Sequence, residues 1–369
     1  MKVLSVFNNK GGVGKTTLTF HLSHALSEIG YKVLMIDADP QCNLTIYSIA
    51  EEKIHDIWEK EDSFIDLGMD ATKKDLTERA FDQILNSPRS LHFIVKSTEE
   101  GTGELSKLPP PFKLTESLDI IPGRLSLHTF EEAISKRWPD VYRGDPLAIR
   151  TLTRIRSLAN EYTSVHQYDF VIVDTSPSLG VLNKVIISTV DGFFIPALPD
   201  IFSLYGIRNI GKALSVWKTE FDILYKLLSE DKRKAFPAQF VSFLGYTIYN
   251  AKPYSNSKDG TRGLAKAHSN YAEKIPSAIK EYIKPELRNH LTDQLLGSPI
   301  GDDCIMYTHN TFPAMAQKYH MPMWKVPSNA KKEPGDSSTL AGARQKYEDT
   351  KDSYKKFATE LLKRVELLS

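Results

Sequence analysis

The residues whose types and spacing bear on chemistry are Lys10, Gly11, Gly12, Val13, Gly14, Lys15, Thr16 and Thr17. Glycines let the backbone curl until successive N–H groups point inward at an anion, and a helix behind them adds its positive end. A helical pattern does begin at Leu18, and a short apolar strand, Val3 to Phe7, leads in. Lys15 in such a loop would neutralise the β- and γ-phosphates of a nucleotide, and the Thr16 hydroxyl would ligate Mg²⁺. The usual pattern has glycine four residues before the Val13–Gly14 step. This chain has Asn9 there, followed by an additional lysine, Lys10.

Carboxylates supply the second half of this chemistry. Lys32 to Ile36 reads as a buried strand that ends in Asp37, Ala38, Asp39, Pro40, Gln41 and Cys42. Two aspartates at a strand end across from a phosphate loop repel each other unless a cation lies nearby. Phe170 to Val173 is a second buried strand, and Asp174 stands at its end. Asp174 would bind Mg²⁺ through water, because that ion keeps much of its hydration shell.

The elements that must position these groups follow from periodicity. Leu18, Leu22, Ala25, Leu26 and Ile29 recur at helical spacing with Gly30 as the stop, so strand, helix and strand form a parallel βαβ unit. Ligands of such units gather at the carboxyl ends of the strands. Further strands are expected at Leu118–Pro122, Phe193–Leu198, Phe240–Asn250 and Ile305–Thr308, with a long amphipathic helix through Leu214, Trp217, Phe221, Leu224 and Leu228. The expected fold is α/β: one domain over residues 1–369, a doubly wound, mostly parallel sheet with helices on both faces. Residues 51–114 read as an insertion, acidic in its first half, with helices at Ile54–Trp58 and Leu76–Leu85 and a strand at Leu91–Val95. It covers the site or contacts a partner, or else is a solvated surface elaboration. Pro327 to Ser338 reads as a loop, and a last helix is expected over about 341–368.

Bulk properties narrow the class. Hydrophobic residues are 41% and charged residues 25% of the chain, ordinary values for a globular protein, and the net charge of +1 advertises no nucleic acid. Local bias hides beneath it: residues 51–82 lean acidic, whereas Lys252, Lys258, Arg262, Lys266, Lys274, Lys280, Lys284 and Arg288 lean basic. The latter are either a phosphate-contacting surface or a solvated face. Cys42 and Cys304 have no metal-ligand spacing and are expected as thiols in a reducing cytosol. No apolar run reaches membrane-spanning length. A strand beginning at Lys2 is expected to leave no room for a leader or an N-terminal helix-turn-helix.

The run Lys10-Gly11-Gly12-Val13-Gly14-Lys15-Thr16-Thr17 resembles the deviant Walker A box of the ParA/MinD family of ATPases. Asp37 to Thr45 resembles that family's second nucleotide box, and Asp174 to Gly180 its Walker B and switch segment. Ser203 to Ile207 resembles a helix start of the same family. The resemblance covers Met1–Thr45 and Leu118–Gly206 well and the last third loosely.

It implies an Mg²⁺-dependent ATPase using ATP. Asp37 would support the metal, and Asp39 would position the attacking water. Lys10 would reach across a homodimer to the partner's nucleotide. Asn250 falls where relatives place an adenine-reading asparagine, although a turn-forming asparagine fits equally. Cys42 replaces a common glycine, and small size is expected to suffice there. The implied role is plasmid or chromosome partition, or cargo positioning, with a ParB-like or adaptor partner and non-specific DNA, in the cytoplasm or on the nucleoid. A MinD-like membrane regulator is a second reading, although acids interrupt the basic face of the last helix. A signalling or defence ATPase acting through a protein partner is a third.

Overall fold

The computed structural model describes residues 1–369 except 235, 252–263, 265, 302–305, 308, 310, 331 and 369. β1 (Lys2–Val6) leads through the glycine loop to α1 (Lys15–Glu28) and back to β2 (Val33–Asp37). After α2 (Asn43–Ser48) come α3 (Glu51–Glu59), α4 (Asp62–Asp66), α5 (Met69–Lys74), α6 (Glu78–Leu85) and α7 (Leu91–Glu100). β3 (Phe112–Lys113) and β4 (Leu118–Ile121) then precede α8 (His128–Val141), α9 (Pro146–His166) and β5 (Phe170–Asp174). α10 (Val181–Thr189), β6 (Gly192–Ala197), α11 (Ile201–Leu227), β7 (Ser242–Ala251) and β8 (Met306–Tyr307) follow, and the C-terminal helix spans Pro334–Val365.

Among the described residues the strands order as β3-β4-β2-β5-β1-β6-β7-β8. β3 runs antiparallel to β4, and the other pairs are parallel. β2 and β5 are buried along their whole length, as strands covered on both faces must be. One apolar layer packs Phe93, Phe130, Leu158, Ile186 and Leu214 under α7 to α11. The other packs Leu18 and Leu22 of α1 against Tyr354, Phe357 and Leu361 of the C-terminal helix. β1 sends its crossover one way to β2, while β5 sends its crossover the other way to β6. The strand order therefore reverses at β1 and β5, which is where such sheets open a crevice.

Two expectations need correction. Leu91–Val95 belongs to α7, not to a strand. All its apolar residues are buried, and a run this short reads equally as a buried strand or as the start of a buried helix. What decides the matter is Ser90, whose Oγ accepts from the Phe93 N–H at 3.2 Å and caps a helix. The expected loop at Pro327–Ser338 is shorter than predicted, because the C-terminal helix already begins at Pro334. Proline is accepted in a first helical turn, where its missing N–H has no partner to lose. Of the expected strand Ile305–Thr308, Met306 and Tyr307 form β8; Ile305 and Thr308 lie outside the described residues.

Candidate nucleotide-binding site

The register of the sheet assembles the acidic half of the site. Asp37 on β2 is paired directly with Asp174 on β5, so the two carboxylates stand side by side at the strand ends. Both are fully buried. The first turn of α1 comes over them: Thr16 Oγ1 donates to Asp174 Oδ2 at 2.8 Å and Thr19 Oγ1 to Oδ1 at 3.3 Å. Burial, reinforced by the charge of Asp39, pushes the Asp174 carboxyl up to about 7. Burial and then the neighbouring Asp174 push Asp37 to about 8. Such a pair is held protonated or is neutralised by a cation. Two carboxylates and a threonine hydroxyl form a hard-oxygen donor set, which fits Mg²⁺ carrying its own waters.

Asp37 is itself fixed by Thr45, whose N–H and hydroxyl both donate to Oδ2, at 2.8 and 2.6 Å. The Asp39 N–H donates to Asp37 Oδ1 at 3.2 Å, and Asp39 Oδ1 accepts from the Gln41 N–H at 3.0 Å. Cys42 has a φ of 57°. Small size is therefore not the whole reason that glycine is common at this place in relatives: the position calls for left-handed backbone, and Cys42 adopts it at a cost.

The glycine loop presents Gly11 and Gly12 to solvent, while Val13 and Lys15 are buried. Gly14 has φ 81°, and a Cβ on it would lie 2.1 Å from Cε1 of Tyr249. The Tyr249 ring is thus a wall of the loop, and its hydroxyl is 2.8 Å from that of Tyr354 on the C-terminal helix. At the loop's entrance Asn8 Oδ1 accepts from the Lys10 N–H at 3.0 Å, and Asn8 Nδ2 donates to the Pro196 carbonyl at 2.8 Å. The Lys15 ammonium donates to the Lys10 carbonyl at 3.3 Å. Burial lowers its pKa, while Asp174 and Asp39 oppose that shift. Thr17 contributes its carbonyl to His21 Nδ1 at 2.7 Å.

Lys10 does not join this cluster. Its Nζ lies 2.5 Å from Asp200 Oδ2 and 5.4 Å from the centroid of the Phe202 ring. Asn250 is half-buried near the end of β7, with φ 58°, one residue beyond the tyrosine that packs on Gly14. Sequence reasoning missed Tyr249, Asn8 and Thr45. Asn8 had a signal in its place next to the loop. Tyr249 had none, because its contact with Gly14 arises from the sheet.

Of the basic candidates, Lys252, Lys258 and Arg262 lie outside the described residues. Lys280 is paired with Asp293 at 2.7 Å, and Arg288 donates to the carbonyls of Ile283 and Lys280. The apolar face of the C-terminal helix, Tyr347, Tyr354, Phe357, Leu361 and Val365, is buried against its own protein. No described helix is long and apolar enough to cross a membrane.

Residues 1–224 match the family described as an AAA domain (AAA_31). The sporulation initiation inhibitor protein Soj of Bacillus subtilis is 27% identical over 210 residues, 57% of this chain and 63% of Soj. The matched region thus spans less than two thirds of that relative. Protein DIP2308 of Corynebacterium diphtheriae superposes with a TM-score of 0.63 at 23% identity, covering 88% of this chain and 98% of that one. The ParA of pNOB8, in a structure bound to non-specific DNA, superposes with a TM-score of 0.52 at 18% identity, over 99% of this chain and 98% of that one.

Proposed function

The chain belongs to the ParA/MinD family of P-loop ATPases, and from that premise we propose that it binds and hydrolyses ATP as a switch between one-subunit and two-subunit states. The inward N–H groups of Gly11 to Thr17 would hold the β- and γ-phosphates, with Lys15 releasing the Lys10 carbonyl to meet them. Thr16, Asp37 and Asp174 would hold Mg²⁺ between them, directly or through its waters. When bound, that ion neutralises charge on the phosphates. Asp39 would orient the attacking water, and Asn250 would read the adenine ring.

The observation that carries the two-subunit reading is Lys10. Its ammonium sits outside its own phosphate cradle, paired with Asp200 and beside the ring of Phe202 on a rim at the start of α11, where Ile201, Phe202 and Tyr205 are exposed. A second copy facing this rim would cover it and bring Lys10 to the other nucleotide. A cation so placed can contribute ~10³–10⁵ in rate, as arginine fingers do. Removal of the γ-phosphate then weakens the pair.

We place the switch in DNA partition or cargo positioning, with a ParB-like or adaptor protein as trigger and non-specific DNA as the surface. Lys266, Lys274, Lys284 and the lysines of the C-terminal helix are the candidate phosphate contacts. Similarity to the chromosome partitioning protein ParA of Caulobacter vibrioides, 26% identical over 214 residues, supports the partition reading. Light scattering of the wild type and of Lys10→Ala with ATP tests the core of the reading. The variant should bind nucleotide and stay a monomer; normal ATP-dependent dimerisation would refute the two-subunit switch. A DNA gel shift across a salt series, with and without ATP, tests the surface, because phosphate contacts weaken steeply with salt.

A further inference from the structure

Residues 51–62 are linked to the buried Asp37 carboxylate through a relay of hydrogen bonds. Trp58 of α3 donates its indole N–H to the Gly123 carbonyl at 3.1 Å. The Gly123 N–H donates to Thr45 Oγ1 at 2.6 Å, and that hydroxyl donates to Asp37 Oδ2 at 2.6 Å. Arg124, next along the β4 exit, donates to the Trp58 carbonyl at 2.9 Å and reaches Glu61 at 3.4 Å; it also pairs with Asp62. Glu61 is fully buried and accepts from the Ser90 N–H at 2.6 Å and from Ser90 Oγ at 2.5 Å, which locks α4 to α7. No slack is left at Gly123: a Cβ there would lie 3.0 Å from Asp37 Cγ and 3.2 Å from Cys42 Sγ.

We propose that Trp58 is a positioning residue for Asp37, acting through Gly123 and Thr45, so that the α3–α4 segment sets how well the site accepts Mg²⁺ with a nucleotide. Each link is one hydrogen bond, and every group in the relay is held from its far side. A displaced α3 releases Gly123, the Thr45 hydroxyl follows, and Asp37 loses one of its two bonds from Thr45. Asp37 then keeps the Thr45 N–H on Oδ2 at 2.8 Å and the Asp39 N–H on Oδ1 at 3.2 Å, and without the short hydroxyl bond the carboxylate is held less firmly. The inference rests on the nucleotide-binding reading above and adds to it a role for the segment between β2 and β4.

The test uses the full chain, a fluorescent ATP analogue and MgCl₂. Trp58→Phe removes the indole N–H and keeps an aromatic ring; Thr45→Val removes the hydroxyl and keeps the shape; Thr45→Ser restores the hydroxyl. The Mg²⁺ concentration for half-maximal nucleotide binding should rise ~5-fold, the scale of one hydrogen bond, in Trp58→Phe and Thr45→Val. It should stay at the wild-type value in Thr45→Ser. Nucleotide binding in EDTA should be the same in all four proteins, which separates the effect from general loosening. Wild-type Mg²⁺ dependence in a folded Trp58→Phe overturns the proposal, whatever Thr45→Val shows. Should Trp58→Phe fail to fold, Trp58→Leu, which also lacks the indole N–H, takes its place and is read the same way. A wild-type protein that binds no nucleotide with Mg²⁺ would instead sink the reading on which the proposal stands.

Discussion

Lys10 and Asp200 form an ion pair 2.5 Å long between the glycine loop and the first residue before α11, with 24% and 26% of their side chains exposed. Asp200 does two jobs at once, because its Oδ1 also accepts from the Ser203 N–H at 2.8 Å and caps α11. Burial works against the charge on Asp200, but the bonds from Lys10 and Ser203 hold its pKa below the usual carboxylate value. A lysine proposed to reach a second subunit is thus held within its own.

It follows that Asp200→Asn should favour the two-subunit state. Asparagine keeps an oxygen for the Ser203 N–H, so the cap survives, but the charge opposite Lys10 is gone. A partly exposed pair is worth ~0–1 kcal/mol and a dimer releases one from each subunit, so ATP-dependent dimerisation should tighten by up to ~30-fold. Sedimentation or light scattering across a protein dilution series would read this. A weaker dimer in the variant would mean that Asp200 helps Lys10 across the interface instead of holding it back.

Asp39→Ala should separate assembly from chemistry. Asp39 is buried beside the loop, and its carboxylate bonds only a local N–H, that of Gln41, among the contacts described. Loss of a group that orients or deprotonates water costs ~10²–10⁴ in rate. Phosphate release should slow by that order, while ATP binding and dimerisation persist. Undiminished turnover would remove Asp39 from the reaction.

The nucleotide half of the protein was legible because each of its signals is local. Gly14, Lys15 and Thr16 are adjacent in sequence, and Asp37 and Asp174 each end an unbroken apolar strand. The parallel sheet followed from the alternation of such strands with helical repeats. What escaped notice depends on residues far apart. Tyr249 meets Gly14 only because β7 lies two strands from β1. Trp58 meets Gly123 only because α3 folds back over the β4 exit. The misread strand at Leu91–Val95 has a different cause: the apolar run is too short to tell a buried strand from the first turns of a buried helix, and the Ser90 cap that decides it was overlooked.

Gly14→Ala should disable nucleotide binding without unfolding the sheet. Left-handed backbone costs a non-glycine residue ~1–2 kcal/mol, and the new methyl would also have to displace the Tyr249 ring. That ring is anchored by the Tyr354 hydroxyl, so it cannot yield freely. Urea denaturation should show a loss of at least ~1–2 kcal/mol. Binding of a fluorescent ATP analogue should fall to background. Binding at wild-type affinity would show that the loop reshapes more easily than its contacts imply.

His21 gives stability a pH dependence that can be assigned to one residue. It is fully buried on α1; its Nδ1–H donates to the Thr17 carbonyl at 2.7 Å, and Nε2 accepts from the Met323 N–H at 3.1 Å. The second bond requires a lone pair on Nε2, so the folded protein holds the neutral ring. Burial lowers its pKa from 6.5 to about 3, with the Thr17 carbonyl opposing and His309 adding slightly. Between those values the unfolded chain binds a proton that the folded one refuses, so stability rises with pH there. The contribution is complete above about 6.5 and is lost as pH falls toward 3, at ~1.4 kcal/mol per unit for one proton. His24 and His309 are shifted in the same direction, which steepens the wild-type curve. His21→Gln, which cannot titrate but can keep one donor and one acceptor, should lower the slope of unfolding free energy against pH by about one proton between pH 4 and 6. Urea titrations at four or five pH values would measure it. Equal slopes in the two proteins would mean that His21 already protonates in the folded state, and that the bond from Met323 is not what fixes its charge.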